Sequence, residues 1–389
     1  MILDGPVPFH ANGQMLHAAA ARHDLSMHRG RFGGPRGLDA AALLEAVARV
    51  ELTGRGGGHF PVVRKLEPIV ASGAATVVIN GSEGETLSSK DAALLQLRPH
   101  LVLDGAQALA RAVRAQQVVV WLHAGADASQ HSILEAIRER ETDAAHARDV
   151  RISVMLGPAR YLTGEASAVI NGVRGNDVLP AFVLDPAKPW VDGEAVLVHN
   201  TETHARIGLL DRIGIDYAPT SLVTIAQHDR RLVIEVEPEV TFAGLFATHG
   251  VPVPGALLLG GFGGQWVRWS DIAQLPVDPG RLRRHGVSLG AGIIALVPPH
   301  TSGLQWSADI LEWMAGESAG QCGPCIFGLP ELAKQYRRLV GGRRASARRL
   351  GQVRELMALV DQRGACRHPD GAVRMARSAL EVFAVGGAR

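Results

Sequence analysis

Hydrophobic and polar positions along this chain follow two rhythms. From Leu38 the stretch LDAAALLEAVARVELT repeats apolar residues at helical spacing and then breaks in GRGGGHFP. TVVIN, Thr76 to Asn80, is a short β-branched run of the kind that fills a buried parallel strand, and it stops in the loop GSEGETLSSKD. DAALLQLRPHLVLDGAQALARAV then reads as a helical stretch, QVVVWLH as a strand and the region around SILEAIRERET as a helix. RISVMLGPARYLTGEASAVINGVRG, from Arg151, repeats strand, glycine loop and helix. Strands alternating with helices predict a parallel sheet, so residues 38–220 are expected to form an α/β domain behind an N-terminal arm, residues 1–37.

From Ser221 the rhythm shortens. SLVTIAQ, RLVIEVEP, TFAGLFATHG and GALLLGGFGGQWV alternate short strands with one short helix, which predicts a small β-grasp-like module over residues 221–300. Residues 301–389 return to helical spacing in four segments with short links, the pattern of a helical bundle.

Bulk properties narrow the class. A chain of 389 residues with 47% hydrophobic and 5% aromatic residues has ample material for large cores. Its formal charge of +2 gives no reason to expect a nucleic-acid partner, and the Arg-rich stretch GGRRASARRL, Gly341 to Leu350, reads first as a solvated helix start. No apolar run approaches the ~20 residues of a membrane span, and MILDGPVPFHANGQ lacks the basic-then-apolar layout of a secretory signal. Three cysteines, two of them in a CxxC, read as a metal or redox site in a reducing compartment, so a cytoplasmic protein is expected.

The candidate chemistry lies in five loops. GRGGGHFP, Gly54 to Pro61, supplies glycines whose backbone can approach a ligand closely and present N–H groups to an anion. NGSEGETLSSKD offers Asn80, Ser82, Glu83 and Glu85 where a strand ends, the edge at which open α/β sheets take ligands. Tyr161, Gly164 and Glu165 open a helix, and HNTETHA places Asn200 and Thr201 where they either cap a helix or bond a phosphate. Cys322 and Cys325 share a turn, and Cys366 lies in a second turn some forty residues on. Soft thiolates grouped this way select an iron–sulfur cluster or zinc, and His368 offers a fourth ligand for the latter.

Taken together and in order, these loops resemble the NADH-binding flavoprotein subunit of respiratory complex I, a family shared with bidirectional hydrogenases and NAD-dependent formate dehydrogenases. GRGGAGFPxxxK of that family is matched by GRGGGHFPVVRK, NADExEPGTxKDR by NGSEGETLSSKD, YxCGEExALxxSxEG by YLTGEASAVINGVRG, NNVET by HNTET, and ESCGxCxPCxxG by ESAGQCGPCIFG. The resemblance implies a Rossmann-like FMN domain, a ubiquitin-like β-grasp domain and a four-helix bundle with an iron–sulfur site. It implies FMN held by Gly54, Arg55, Gly56, Gly57, Asn80, Ser82, Glu83, Tyr161, Gly164, Glu165, His199, Asn200 and Thr201. Phe60 would stack on the nicotinamide nucleotide, NADH or NADPH, with Lys65 and Glu85 in polar contact; Lys65, Glu85 and Glu165 are the residues expected nearest the chemistry. Electrons would leave through a cluster on Cys322, Cys325 and Cys366 to a ferredoxin or another iron–sulfur protein, with no insertion in a membrane, and the chain would work within a homo- or hetero-oligomer or alone.

The departures are as specific as the matches. Ser82 stands for an Asp, Ala166 for the second Glu of the GEE pair, His59 for a Gly and Leu66 for an aromatic residue. Ala319 stands for the first cysteine of the cluster turn, which leaves either a [4Fe–4S] cluster with a fourth ligand other than cysteine or a [3Fe–4S] cluster.

Overall fold

In a computed structural model, the run ATVVIN forms Ala75–Asn80, the central strand of a five-stranded sheet. The structure describes residues 9–10, 13–16, 21–73, 75–182, 190–191, 194–228, 230–342 and 347–384. The sheet order is Ile152–Gly157, Gln117–His123, Ala75–Asn80, Glu194–Asn200 and Trp190–Val191. The first four strands run parallel and the short last one is antiparallel. Val77, Ile79, Val118, Val120 and Leu197 face one core and Val78, Val119, Trp121, Val196 and Val198 the other, so both faces of the sheet are covered, as a parallel sheet requires. Asn80 is in register with Trp121 on one side and Asn200 on the other, which brings the ends of these strands to a common edge.

The chain divides into two compact units. One comprises Met1–Leu179, Leu184–Val223 and Leu232–Glu237, the other Pro180–Val183, Thr224–Arg231 and Pro238–Arg389. The first unit contains the five-stranded sheet. In the second, Ala256–Leu259 and Gln265–Arg268 form an antiparallel hairpin, and Ile293–Leu296 pairs antiparallel with the former and parallel with Thr224–Ala226. Helices Gly303–Gly316, Leu329–Val340, Ala347–Val360 and His368–Ala379 follow. Trp266 ties hairpin to helices: its indole N–H donates to Ser307 Oγ at 2.9 Å and its ring lies edge-on to Phe383 at 4.8 Å.

Two expectations change in detail. The stretch DAALLQLRPHLVLDGAQALARAV is two helices, Lys90–Leu97 and Pro99–Val113, because proline lacks an N–H and forces the preceding residue out of helical geometry. Arg98 at the break is fully buried and donates to the carbonyls of Met15 at 3.1 Å and Ala21 at 3.0 Å, pinning the N-terminal arm. Of the basic stretch Gly341 to Leu350, residues 343–346 lie outside the described residues, and the helix begins at Ala347. Residues 1–8, 11–12 and 17–20 of the expected N-terminal arm lie outside them as well.

Candidate functional site

The four loops of the first unit meet at the strand ends. Gly84 and Gly164 are required by close approach: a Cβ on Gly84 would lie 2.4 Å from the Tyr161 carbonyl oxygen, and one on Gly164 would lie 2.5 Å from that of Ser82. The second and third loops are therefore in backbone contact, and Asn80 Nδ2 reinforces the contact by donating to the Gly164 carbonyl at 2.8 Å. The first loop reaches the fourth through the Arg55 amide, which donates to Thr203 Oγ1 at 3.0 Å, and through Gly56, whose Cβ position lies 3.5 Å from Asn200 Cβ. Thr201 Oγ1 donates to the Asn80 carbonyl at 3.1 Å. At Gly58 a Cβ would meet nothing within 4 Å, so the rim of this cradle is open.

A buried ionic network supports the cradle. Lys90 Nζ lies 2.9 Å from Asp91 Oδ1, 3.1 Å from Asn200 Oδ1 and 3.1 Å from Glu202 Oε2. Glu202 Oε1 takes Arg206 Nε and Nη2 at 2.9 and 2.8 Å, with Arg55 Nε at 3.9 Å. Burial raises the Glu202 carboxyl, but Lys90, Arg206 and Arg55 outweigh it and bring its pKa down to about 2. Burial instead dominates at Asp91, whose pKa is raised to about 6 despite Lys90. Lys90, Asp91 and Arg206 were not among the residues singled out from sequence. A Lys-Asp pair at a helix start reads as solvated charge, and only the fold places both under the loops.

Two of the expected cofactor carboxylates also serve the backbone. Glu83 accepts from Ser88 Oγ, from the Asp91 amide at 3.2 Å and from the Ala92 amide at 3.0 Å, which caps the helix Lys90–Leu97. Glu165 Oε2 accepts from the Ser167 and Ala168 amides at 2.8 and 3.0 Å and from Ser167 Oγ, capping Ala166–Val173. Glu85 is half-buried and accepts from the Leu87 amide at 3.4 Å.

Phe60, Lys65 and His199 lie around the same loops. Arg64 and Lys65 stand 5.4 and 6.0 Å from the Phe60 ring centre. His59, next to that ring, holds φ at +46°, a left-handed conformation that glycine takes without strain. Burial lowers the Lys65 pKa and Glu165 partly offsets it. Burial, then Lys65, then His204 push His199 well below its usual range, so its imidazole is neutral. His199 Nε2 and Ser82 Oγ are buried and have no hydrogen-bond partner among the described residues.

In the second unit two of the three expected cysteine ligands are in contact and the third is nearby. Cys322 and Cys325 are hydrogen-bonded to each other, and Cys366 is close enough to act electrostatically on Cys325. Burial raises the Cys322 thiol, yet the amides of Ala365 and Cys325 outweigh it and leave its pKa below the ordinary thiol value. Burial, joined by the neighbouring sulfurs, pushes Cys325 up to about 12. The Ala319 amide donates to the Cys325 sulfur. His368 does not complete a zinc site: its Nε2 is committed to the Met314 carbonyl at 2.8 Å, and no group of three His, Cys, Asp or Glu side chains among the described residues converges on one ion.

Two family models match the chain in order: the Nuo51 FMN-binding domain over residues 47–208 and the NADH-ubiquinone oxidoreductase-F iron-sulfur binding region over residues 305–385. The chain belongs to the NADH-ubiquinone oxidoreductase-F family. It is 25% identical to the F 2 subunit of the NADH-quinone oxidoreductase of Rhizobium meliloti, covering 88% of this chain and 86% of that one. It is 24% identical to the corresponding F subunit of Escherichia coli, covering 89% and 84%. The fold is similar to a chain of an NAD+-reducing [NiFe]-hydrogenase in the H2-reduced state, with a TM-score of 0.76 at 21% identity over 91% of this chain. The match spans 63% of the length of that hydrogenase chain.

Membership of this family brings an FMN-binding domain and an iron–sulfur binding region and sets the chain among NAD(H)-dependent oxidoreductases. The residues present fit both groups. Buried polar atoms without protein partners, Ser82 Oγ and His199 Nε2, suit a flavin bound in an open glycine cradle. Clustered thiols with backbone N–H groups directed at their sulfurs are the donor set and outer shell of an iron–sulfur cluster. Against the family pattern, this chain lacks one ligand thiol, at Ala319, and carboxylates at Ser82 and Ala166.

Proposed function

We propose that this protein takes hydride from NADH on FMN and passes the electrons singly, through a cluster on Cys322, Cys325 and Cys366, to a separate iron–sulfur protein, a ferredoxin. The observation that carries the reading is the coincidence, in one chain, of a glycine cradle containing buried polar atoms unpartnered among the described residues with a cysteine turn whose two sulfurs take N–H donors beside a third thiol. Bound FMN supplies two-electron acceptance and one-electron release, and the protein supplies orientation and tuning.

The chain's own residues divide that work. Gly54, Arg55, Gly56 and Gly57 approach the cofactor along their backbone, while Asn80, Ser82, Tyr161, Gly164, Asn200 and Thr201 form the facing wall. Glu83 acts through the loop it caps. Phe60 gives a flat apolar ring for the nicotinamide nucleotide, Glu85 and Lys65 its polar contacts, and Glu165 a fixed carboxylate at the mouth of a helix. The three thiols leave one iron without cysteine, so the cluster is either [3Fe–4S] or [4Fe–4S] with an oxygen or nitrogen ligand. Cysteines that are all free fit the reducing cytoplasm, and no helix among the described residues is long and apolar enough to cross a membrane.

Anaerobic titration tests this. NADH is expected to bleach the flavin absorbance, and the bleached protein to reduce added ferredoxin. Bleaching by reduced ferredoxin but by neither NADH nor NADPH establishes the reverse direction of flow. A purified protein that carries neither flavin nor iron overturns the reading.

A further inference from the structure

In the first unit the half-buried Lys65 and the buried His199 carry polar groups that the described residues do not fully pair. No carboxylate among the described residues lies within ion-pair distance of Lys65, and Glu165, the one acid that acts on it, already has Oε2 engaged by two amides and the Ser167 hydroxyl. His199, 4% exposed, feels the charge of Lys65, and its Nε2 has no hydrogen-bond partner among the described residues. An imidazole nitrogen buried without a partner is costly, and such groups in native proteins are usually answered by something bound. Ser82 and Ala166 each remove a carboxylate of the family pattern, while His199 puts a neutral imidazole in place of the asparagine of NNVET.

We propose, on the flavin reading above, that Lys65 and His199 form an electropositive, hydrogen-bonding wall that holds one negative charge on the reduced ring of bound FMN. Hydride transfer breaks a C–H bond of the reduced nicotinamide and delivers two electrons and one proton, and the oxidised nicotinamide departs. The ring then carries one negative charge unless a second proton arrives from solvent. A cation and a hydrogen-bonding imidazole at its edge favour the anion, so reduction takes up one proton per two electrons and its potential is raised. The groups that face this wall are Arg64 and Lys65 on the helix Val62–Ser72, Glu165 at the start of Ala166–Val173, His199 on its strand and His204 on Thr201–Ile213. Burial lowers the pKa of both histidines, that of His204 to about 4, and that of Lys65 as well.

Spectroelectrochemical titration of the flavin-loaded protein between pH 6 and 8 decides the matter. One proton per two electrons gives a midpoint slope of about 30 mV per pH unit, since a tenfold change in a two-electron equilibrium is 29.6 mV. Lys65→Met is expected to steepen the slope toward about 59 mV per pH unit, that is, two protons per two electrons. His199→Asn, which restores the family residue, is expected to keep the flavin and to lower the midpoint by at least about 30 mV, a tenfold loss in preference for the reduced form. A wild-type slope near 59 mV per pH unit overturns the proposal whether or not the variants fold. Unquenched fluorescence of FMN mixed with the flavin-free protein overturns the flavin reading itself, a result distinct from a bound flavin with the wrong slope.

Discussion

The cradle of the first unit and the cysteine turn of the second hold their groups by opposite means. Beneath the cradle, Lys90, Glu202 and Arg206 are fully buried and mutually satisfied, so the loops are braced by side chains that bond one another. Around the cysteine turn the interactions named above come from backbone groups instead. Cys322 and Cys366 are partly exposed, backbone amides meet the sulfurs of Cys322 and Cys325, and Ile326 and Phe327 beside them are 48% and 73% exposed. A braced pocket keeps its shape when empty, whereas a turn that crowds thiols together, with one thiol driven up to about 12, is organised by the metal that compensates them.

The largest effect that sharpens this contrast is all-or-none. Cys325→Ser is expected to abolish iron and acid-labile sulfide while flavin content stays at the wild-type level, measured as moles per chain. Loss of flavin as well would break the contrast.

Next in size is Glu202→Gln. Removing one partner of a buried ion pair strands the others and costs about 3–5 kcal/mol, which denaturant unfolding of the first unit should report, with weaker FMN affinity. The cluster signal of the same variant should be unchanged.

Acid exposes the same brace more gently. The folded pKa of Glu202 is depressed, so its stabilisation is complete above about 4.5 and is lost as pH falls toward 2. Asp91 is raised to about 6, so it opposes folding at neutral pH and this penalty disappears as pH falls from about 6 toward 4. The wild-type protein is therefore expected to lose about 3 kcal/mol more stability than Glu202→Gln between pH 4.5 and 2, and equal losses in the two would contradict it.

Two smaller changes probe the departures. Ala166→Glu, at the first residue of a helix whose cap is already acidic, is expected to lower the flavin midpoint with a stability change within about 0.5 kcal/mol. Ala319→Cys restores the family ligand, and the electron paramagnetic resonance signal is expected to move from the as-isolated protein to the reduced one if a three-iron centre becomes a four-iron one.

Much of the molecule was legible in the sequence because local signals and fold agreed. SLVTIAQ is the strand Ser221–Gln227, QVVVWLH is Gln117–His123, and GLQWSADILEWMAG is a helix entered through a capping box at Ser302. The loops were legible because their glycines are fixed by backbone approach, as at Gly84 and Gly164. What stayed hidden was the direction in which charged side chains point. Glu83 and Glu165 belong to loop motifs and also cap helices, and Lys90 and Asp91, which close the second loop motif, are buried under the cradle. Pairings such as Lys90 with Glu202 join residues more than a hundred positions apart, and no local pattern encodes them.

The amide that Ala319 directs at Cys325 gives this position a history of its own. A residue that contributes through its peptide bond is free to drift in side chain, so the place of a missing thiol need not have decayed into neutrality. Proline, which has no N–H to offer, is the one replacement that this constraint forbids there. Among relatives that also dispense with the cysteine, the residue at this point should vary widely and yet avoid proline.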